Sequence, residues 1–203
     1  MQVTKLEEAG KNRYFLYLDG HYFASVDTAI CRTFGLEVGR AIGEEDMIRL
    51  LEEALVRKAR ERALHLLDRQ PYTRRALRDK VVRTNDPVYT DLALDQLEEA
   101  GILDDFSYGC ALAEELIQTK YASNRQIEET MRRRGVSREA MSRVKEALPA
   151  DETNRVRALV LRRLRCTDGP LDEKKLLAAL LRKGYGIGAV KNGIRSVLED
   201  SED

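Results

Sequence analysis

RRALRDKVVRTN (residues 74–85), NRQIEETMRRRG (124–135) and EKKLLAALLRKG (173–184) fall into register at offsets of 50 and 49 residues. Leu77, Ile127 and Leu176 share one column, Val81, Met131 and Leu180 a second, and Asn85, Gly135 and Gly184 a third. The first two columns are one helical turn apart, so each stretch predicts a helix with an apolar stripe. Asn and Gly in the third column are the residues that most readily adopt the left-handed backbone closing a helix. The cations before them offset the negative helix end. Self-similarity at this period means a stack of like units.

Each of these helices has one before it and one after it. ARERALHLLDR, GCALAEELIQTKY and NRVRALVLRRLR precede; LALDQLEEAG, REAMSRVKEAL and GAVKNGIRSVL follow. A helix pair cannot cover its own apolar stripe, so each unit needs its third helix and its neighbours. The expected fold is mainly α: a tandem array of three three-helix repeats. A charge at Leu77, Ile127 or Leu176 is expected to unfold a unit, since burying a leucine contributes roughly 1.5 to 3 kcal/mol.

The first 26 residues have a different period. RYFLYL and HYFASV are β-rich runs joined by Asp19-Gly20, a strong hairpin signal, and VTKLEE adds a third strand. Six of the twelve aromatics lie within residues 14–34. They are expected to form a local core rather than a base-stacking platform, because hairpin aromatics usually pack. Asp27 is expected to cap a short helix ending at Gly35. The glycines at 35, 39 and 43 lack the Lys-Ser/Thr ending of a phosphate loop and form a connector. Glu44, Glu45 and Asp46 then open a long helix where its dipole favours acids. The expected division is 1–43 for the β element and connector, 44–104 for a linking helix and the first repeat, and 105–149 and 150–203 for the second and third repeats.

Net charge is zero, with 35 basic and 35 acidic residues, but the signs are segregated. Residues 57–85 carry ten bases and three acids, residues 86–118 nine acids and no base, and residues 119–145 eight bases and three acids. Such blocks predict faces of opposite potential and exclude a uniformly basic nucleic-acid binder. Cys31, Cys110 and Cys166 are odd in number and widely spaced, so neither a disulfide framework nor a zinc site is expected. The charged N-terminus and the short aliphatic runs predict no membrane association. A reduced, cytoplasmic, monomeric protein is expected.

RQPYTRRALRDKV (69–81), GILDDFSYGCALAEEL (101–116) and RRRGVSREAM (132–141), in this order on a triple repeat, resemble the RecX family of bacterial RecA regulators. The resemblance spans about residues 57–198, and YLDGHYFASV with GLEVG looks like the β extension some members carry. It implies a non-enzymatic protein that binds the RecA nucleoprotein filament and blocks its extension, ATP hydrolysis and strand exchange. Single- or double-stranded DNA is a further possible partner. The chain departs from the family pattern at Ser107 and Gly109.

Asp104 and Asp105 are adjacent carboxylates with no third ligand at a coordinating spacing, which predicts a helix cap rather than a metal site. His21 and His65 have no nucleophile nearby in sequence, and no phosphate loop or nucleophile elbow is present. No catalytic residue, cofactor or metal is therefore expected. The candidate RecA- or DNA-binding residues are Arg74, Arg75, Arg78, Lys80 and Arg83, then Arg132, Arg133, Arg134 and Arg138, then Arg182 and Lys183. They recur at one repeat position, and arginine forks suit phosphates and carboxylates. The competing readings are an autonomous helix-turn-helix-like DNA-binding module and a helical interaction scaffold.

Overall fold

The computed structural model describes residues 1–10, 12–165 and 172–199. It groups into two compact units, one of residues 1–71 and 77–103, the other of residues 72–76 and 104–203. Of the cysteines, Cys31 and Cys110 are free thiols, and Cys166 lies outside the described residues.

In the first unit, β1 (Val3–Gly10), β2 (Arg13–Leu18) and β3 (His21–Asp27) form an antiparallel sheet in that order. Asp19 and Gly20 both take positive φ, 48° and 83°, as the tight hairpin requires. Asp27 accepts a 2.7 Å bond from the Ile30 amide and caps α1 (Thr28–Thr33). One sheet face is aliphatic: Val3, Leu16, Leu18, Ala24 and Val26 pack with Ile30, Leu36, Ile42, Leu50 and Ala54. The last two belong to α2 (Glu44–Leu67), which opens on Glu44, Glu45 and Asp46 as expected. Farther along α2, Ala59, Ala63 and Leu66 are buried, and it packs against α4 (Pro87–Glu99). Between them in sequence runs α3 (Arg74–Val81).

The aromatics do not behave as one local core. Tyr14 and Phe23 pack at its margin, while Phe15 and Tyr22 are exposed. A register shift causes this. Leu16 pairs with Ala24 but Tyr17 pairs with Tyr22, so Phe23 is the additional residue of a bulge that turns Tyr22 to the outer face.

The second unit contains α5 (Asp105–Lys120), α6 (Asn124–Arg134), α7 (Arg138–Ala147), α8 (Thr153–Arg165), α9 (Glu173–Arg182) and α10 (Ile187–Glu199). With α2 to α4, these complete three sets of three helices, and in each set the first helix packs on the third. Ile127 and Met131 centre one core, with Leu116 and Val144. Leu180 sits in another with Val156, Val160, Ile194 and Val197. Leu176 is only partly buried, so a charge there is tolerated better than at the fully buried Leu77 or Ile127.

Gly109 explains one departure from the family pattern. A Cβ there would lie 2.9 Å from Val144 Cγ2 and 3.4 Å from Met131 Sδ, so a side chain at this point of α5 would have to displace Val144. Ser107, the other departure, donates its hydroxyl to Asp104 at the start of α5.

The helix ends follow the register only in part. Gly135 and Gly184 take φ of 83° and 89° and close α6 and α9 as expected. Asn85 is absent from the left-handed residues; its side-chain amide instead donates to the Val81 carbonyl at 3.1 Å. The asparagine terminates α3 with its side chain rather than with its backbone.

Candidate functional site

Two places in the second unit are built alike. In the first, the Thr73 hydroxyl, at the start of α3, donates to the Arg134 carbonyl at the end of α6 (2.9 Å). In the second, the Ser123 hydroxyl, at the start of α6, donates to the Lys183 carbonyl at the end of α9 (2.7 Å). The next backbone amide is held each time by a buried acid. Arg74 N donates to Asp105 (2.8 Å), and Asn124 N donates to Glu152 (2.7 Å). The next residue is an arginine in both, and its stem lies against the glycine closing the other helix. A Cβ on Gly135 would lie 3.0 Å from Arg75 Cδ, and one on Gly184 would lie 2.9 Å from Arg125 Cδ.

These glycines therefore meet two requirements at once, a left-handed backbone and room for an arginine stem. Asp105 does more than the sequence revealed. Its second oxygen accepts from Ser137 N at 2.8 Å, so one carboxylate satisfies the first amides of two other segments. Asp104, not Asp105, caps α5 through the Phe106 and Ser107 amides, and the Ser107 hydroxyl holds its carboxyl below the ordinary aspartate range.

The second of these places carries more. Buried Arg155 donates to the Ala122 carbonyl (2.6 Å) and to Asn124 Oδ1 (2.7 Å), beside Glu152. The Tyr185 hydroxyl donates to the carbonyl of Tyr121, which closes α5 with φ of 49°. Burial pushes the Tyr185 phenol up to about 12.

The predicted basic residues divide into groups with different surroundings. Arg78 is bound bidentately by Asp91 at 2.6 and 2.9 Å, so this arginine is already engaged by the acidic block. Arg74 and Lys80 are half-buried, and Arg83 is exposed. Arg75, Arg132, Arg133, Arg134 and Arg138 are exposed, with Arg132 paired to Glu128 and Arg133 touching Thr130. Arg182 and Lys183 are exposed at the end of α9. Arg75 is brought to the end of α6, where the triple arginine sits, and Arg125 to the end of α9, where Arg182 and Lys183 sit. Arg125 was not among the sequence candidates, although it shares the Arg75 column of the repeat. Its pairing with Glu129 at 3.0 Å is exposed and screened.

Among the described residues no cluster of three metal-ligating side chains exists, and both histidines are exposed. Among the described residues no helix is long and apolar enough to cross a membrane.

No family model matches the chain. It is 33% identical over 152 residues to the regulatory protein RecX of Thermobifida fusca, covering 72% of this chain and 82% of that protein. The chain belongs to the RecX family. The RecX protein of Clostridioides difficile is 23% identical, covering 98% of this chain and 97% of its own, and that of Listeria innocua is 24% identical, covering 94% and 74%. A crystal structure of regulatory protein RecX has the same fold, with a TM-score of 0.74 at 22% identity over 94% of this chain and 98% of that one. RecX from Lactobacillus salivarius matches at a TM-score of 0.61 and 16% identity, covering 70% and 95%. The chain is a RecX-type regulatory protein, mainly helical with a small N-terminal sheet.

Proposed function

We propose that this RecX protein regulates the RecA recombinase by binding the RecA nucleoprotein filament, and that it inhibits filament extension, ATP hydrolysis and strand exchange. The observation that carries the reading is the repeated arginine–glycine packing. Arg75 joins Arg132 to Arg134 at one helix end, and Arg125 joins Arg182 and Lys183 at another. Two exposed cationic sites built on one plan suit a partner that is itself periodic. A filament is such a partner, with phosphates and carboxylates repeating along it. Linking two weak contacts on one chain raises avidity without new chemistry.

Catalysis has no place in this reading, since the buried carboxylates Asp105 and Glu152 are committed to backbone amides. The protein acts in the cytoplasm as a monomer, with a linking helix and the first repeat in residues 44–104 and the second and third repeats in residues 105–149 and 150–203.

The test is RecA's single-stranded-DNA-dependent ATP hydrolysis on preformed filaments, with the protein titrated in at moderate salt. Inhibition supports the reading. Binding to bare DNA that vanishes steeply with salt, with no effect on RecA turnover, supports the autonomous DNA-binding module instead.

A further inference from the structure

The outer face of the N-terminal sheet is aromatic. Phe15 and Tyr17 project from the central strand, and the bulge in β3 sets Tyr22 beside both, with ring centroids 5.9 Å apart and planes at 77° in each pair. Phe15 is 37% exposed and Tyr22 58% exposed. These rings are not needed for the core, because the opposite face of the same strands is already filled by Val3, Leu16, Leu18, Ala24 and Val26. Across the sheet, Lys5 lies opposite Tyr17, its ammonium 5.3 Å from that ring's centroid and 2.8 Å from Glu7.

We propose that this face is a stacking platform for unpaired nucleobases, with Tyr22 and Phe15 as the open rings and Lys5 as the cation beside the backbone phosphate. Exposed aromatics on neighbouring strands are the arrangement that takes up splayed bases, and every base has a face to offer. The area argues against a protein partner. A ring side chain offers about 150–250 Å² when fully exposed, so these partly covered rings present on the order of 250 Å², short of the ~800 Å² per partner of a stable protein interface. A nucleobase needs only one ring. A duplex keeps its bases stacked on each other and does not fit.

The charge on this face differs from that of the arginine sites. Lys5 is paired with Glu7 and Arg13 with Glu61, so the face attracts phosphate weakly over distance. Binding here should therefore depend little on salt, in contrast to contacts made by exposed arginines. Glu7 opposes phosphate approach and engages Lys5, so Glu7→Gln should tighten binding. The inference is independent of RecA, because it concerns the chain and a bare strand.

The chain has no tryptophan and eight tyrosines, so stacking on Tyr17 and Tyr22 can be read from intrinsic tyrosine fluorescence. The full chain is titrated with a short oligothymidylate at low salt and at about 0.5 M salt, where phosphate contacts are largely screened. The expected result is saturable quenching that persists at high salt. Tyr22→Ala should weaken it on the order of tenfold, and Tyr22→Trp should restore affinity and add a quenched tryptophan signal. The proposal is overturned by any of three results: no quenching by the oligonucleotide, equal quenching by a duplex, or high-salt binding unchanged in a folded Tyr22→Ala protein. A peptide that quenches where the oligonucleotide does not would assign the face to a protein partner.

Discussion

The Thr73 hydroxyl reaches the Arg134 carbonyl, 61 residues away, at 2.9 Å, and the Ser123 hydroxyl reaches the Lys183 carbonyl, 60 residues away, at 2.7 Å. The same chemistry therefore joins the start of one second helix to the end of the next at both places. Each hydroxyl is buried, so its removal leaves a helix-terminal carbonyl without a partner. Ser123→Ala and Thr73→Ala should each cost about 1–3 kcal/mol, measured by urea denaturation. Values near zero at both positions would mean that packing alone holds these helix ends.

Gly135 and Gly184 are more constrained than an ordinary helix-closing glycine. Gly101 has a similar φ of 67° with nothing within 4 Å of a built Cβ, whereas Gly184 has the Arg125 stem at 2.9 Å. Gly101→Ala should lose about 1–2 kcal/mol from the left-handed backbone alone. Gly184→Ala should lose more, and equal losses would show that the arginine stem moves aside without cost.

Asp105 accepts from both Arg74 N and Ser137 N. Asp105→Asn presents an amide donor where an acceptor is needed, and should cost about 1–3 kcal/mol. Hydrogen exchange at these two amides should accelerate above that of the Ile127 core. Unchanged exchange at both would contradict the bridging role.

Acid stability has a defined direction. Asp104, Asp151 and Asp172 are all held below their ordinary range, by the Ser107 hydroxyl, the Thr153 hydroxyl and the Lys175 amide respectively. A carboxyl with a lowered folded pKa contributes stability that is fully present above the unfolded value of about 3.9 and lost as pH falls through the folded value. Asp104→Asn should therefore be less stable than the parent at neutral pH, and the difference should shrink as pH falls through the lowered folded value of Asp104. A difference that stays constant with pH would exclude the charged cap.

Much of this fold was legible because its signals are local. Asp19-Gly20 specified the hairpin, and Gly135 and Gly184 specified helix ends, since left-handed backbone is a property of the residue itself. Asn85 misled because its amide offered a second way to end a helix. The outer aromatic face was hidden because β2 is apolar on both sides, Phe15 and Tyr17 outward against Leu16 and Leu18 inward, so alternation carried no contrast. Only the bulge, a matter of pairing, decided Tyr22. Within the candidate site, Arg78 and Asp91, thirteen residues apart, join two adjacent blocks of opposite charge, and spacing alone did not reveal which acid would meet which base. Arg125 was visible in the Arg75 column, but its meaning required the contact with Gly184.

The most direct measurement is RecA ATP hydrolysis on preformed single-stranded filaments, comparing the parent protein with an Arg75→Glu/Arg125→Glu double variant. Both arginines are exposed, so the variant should keep the parent's helical circular dichroism. Inhibition by the parent is expected at well below one copy per RecA, with its loss in the folded double variant. Inhibition by the variant equal to that of the parent would contradict it.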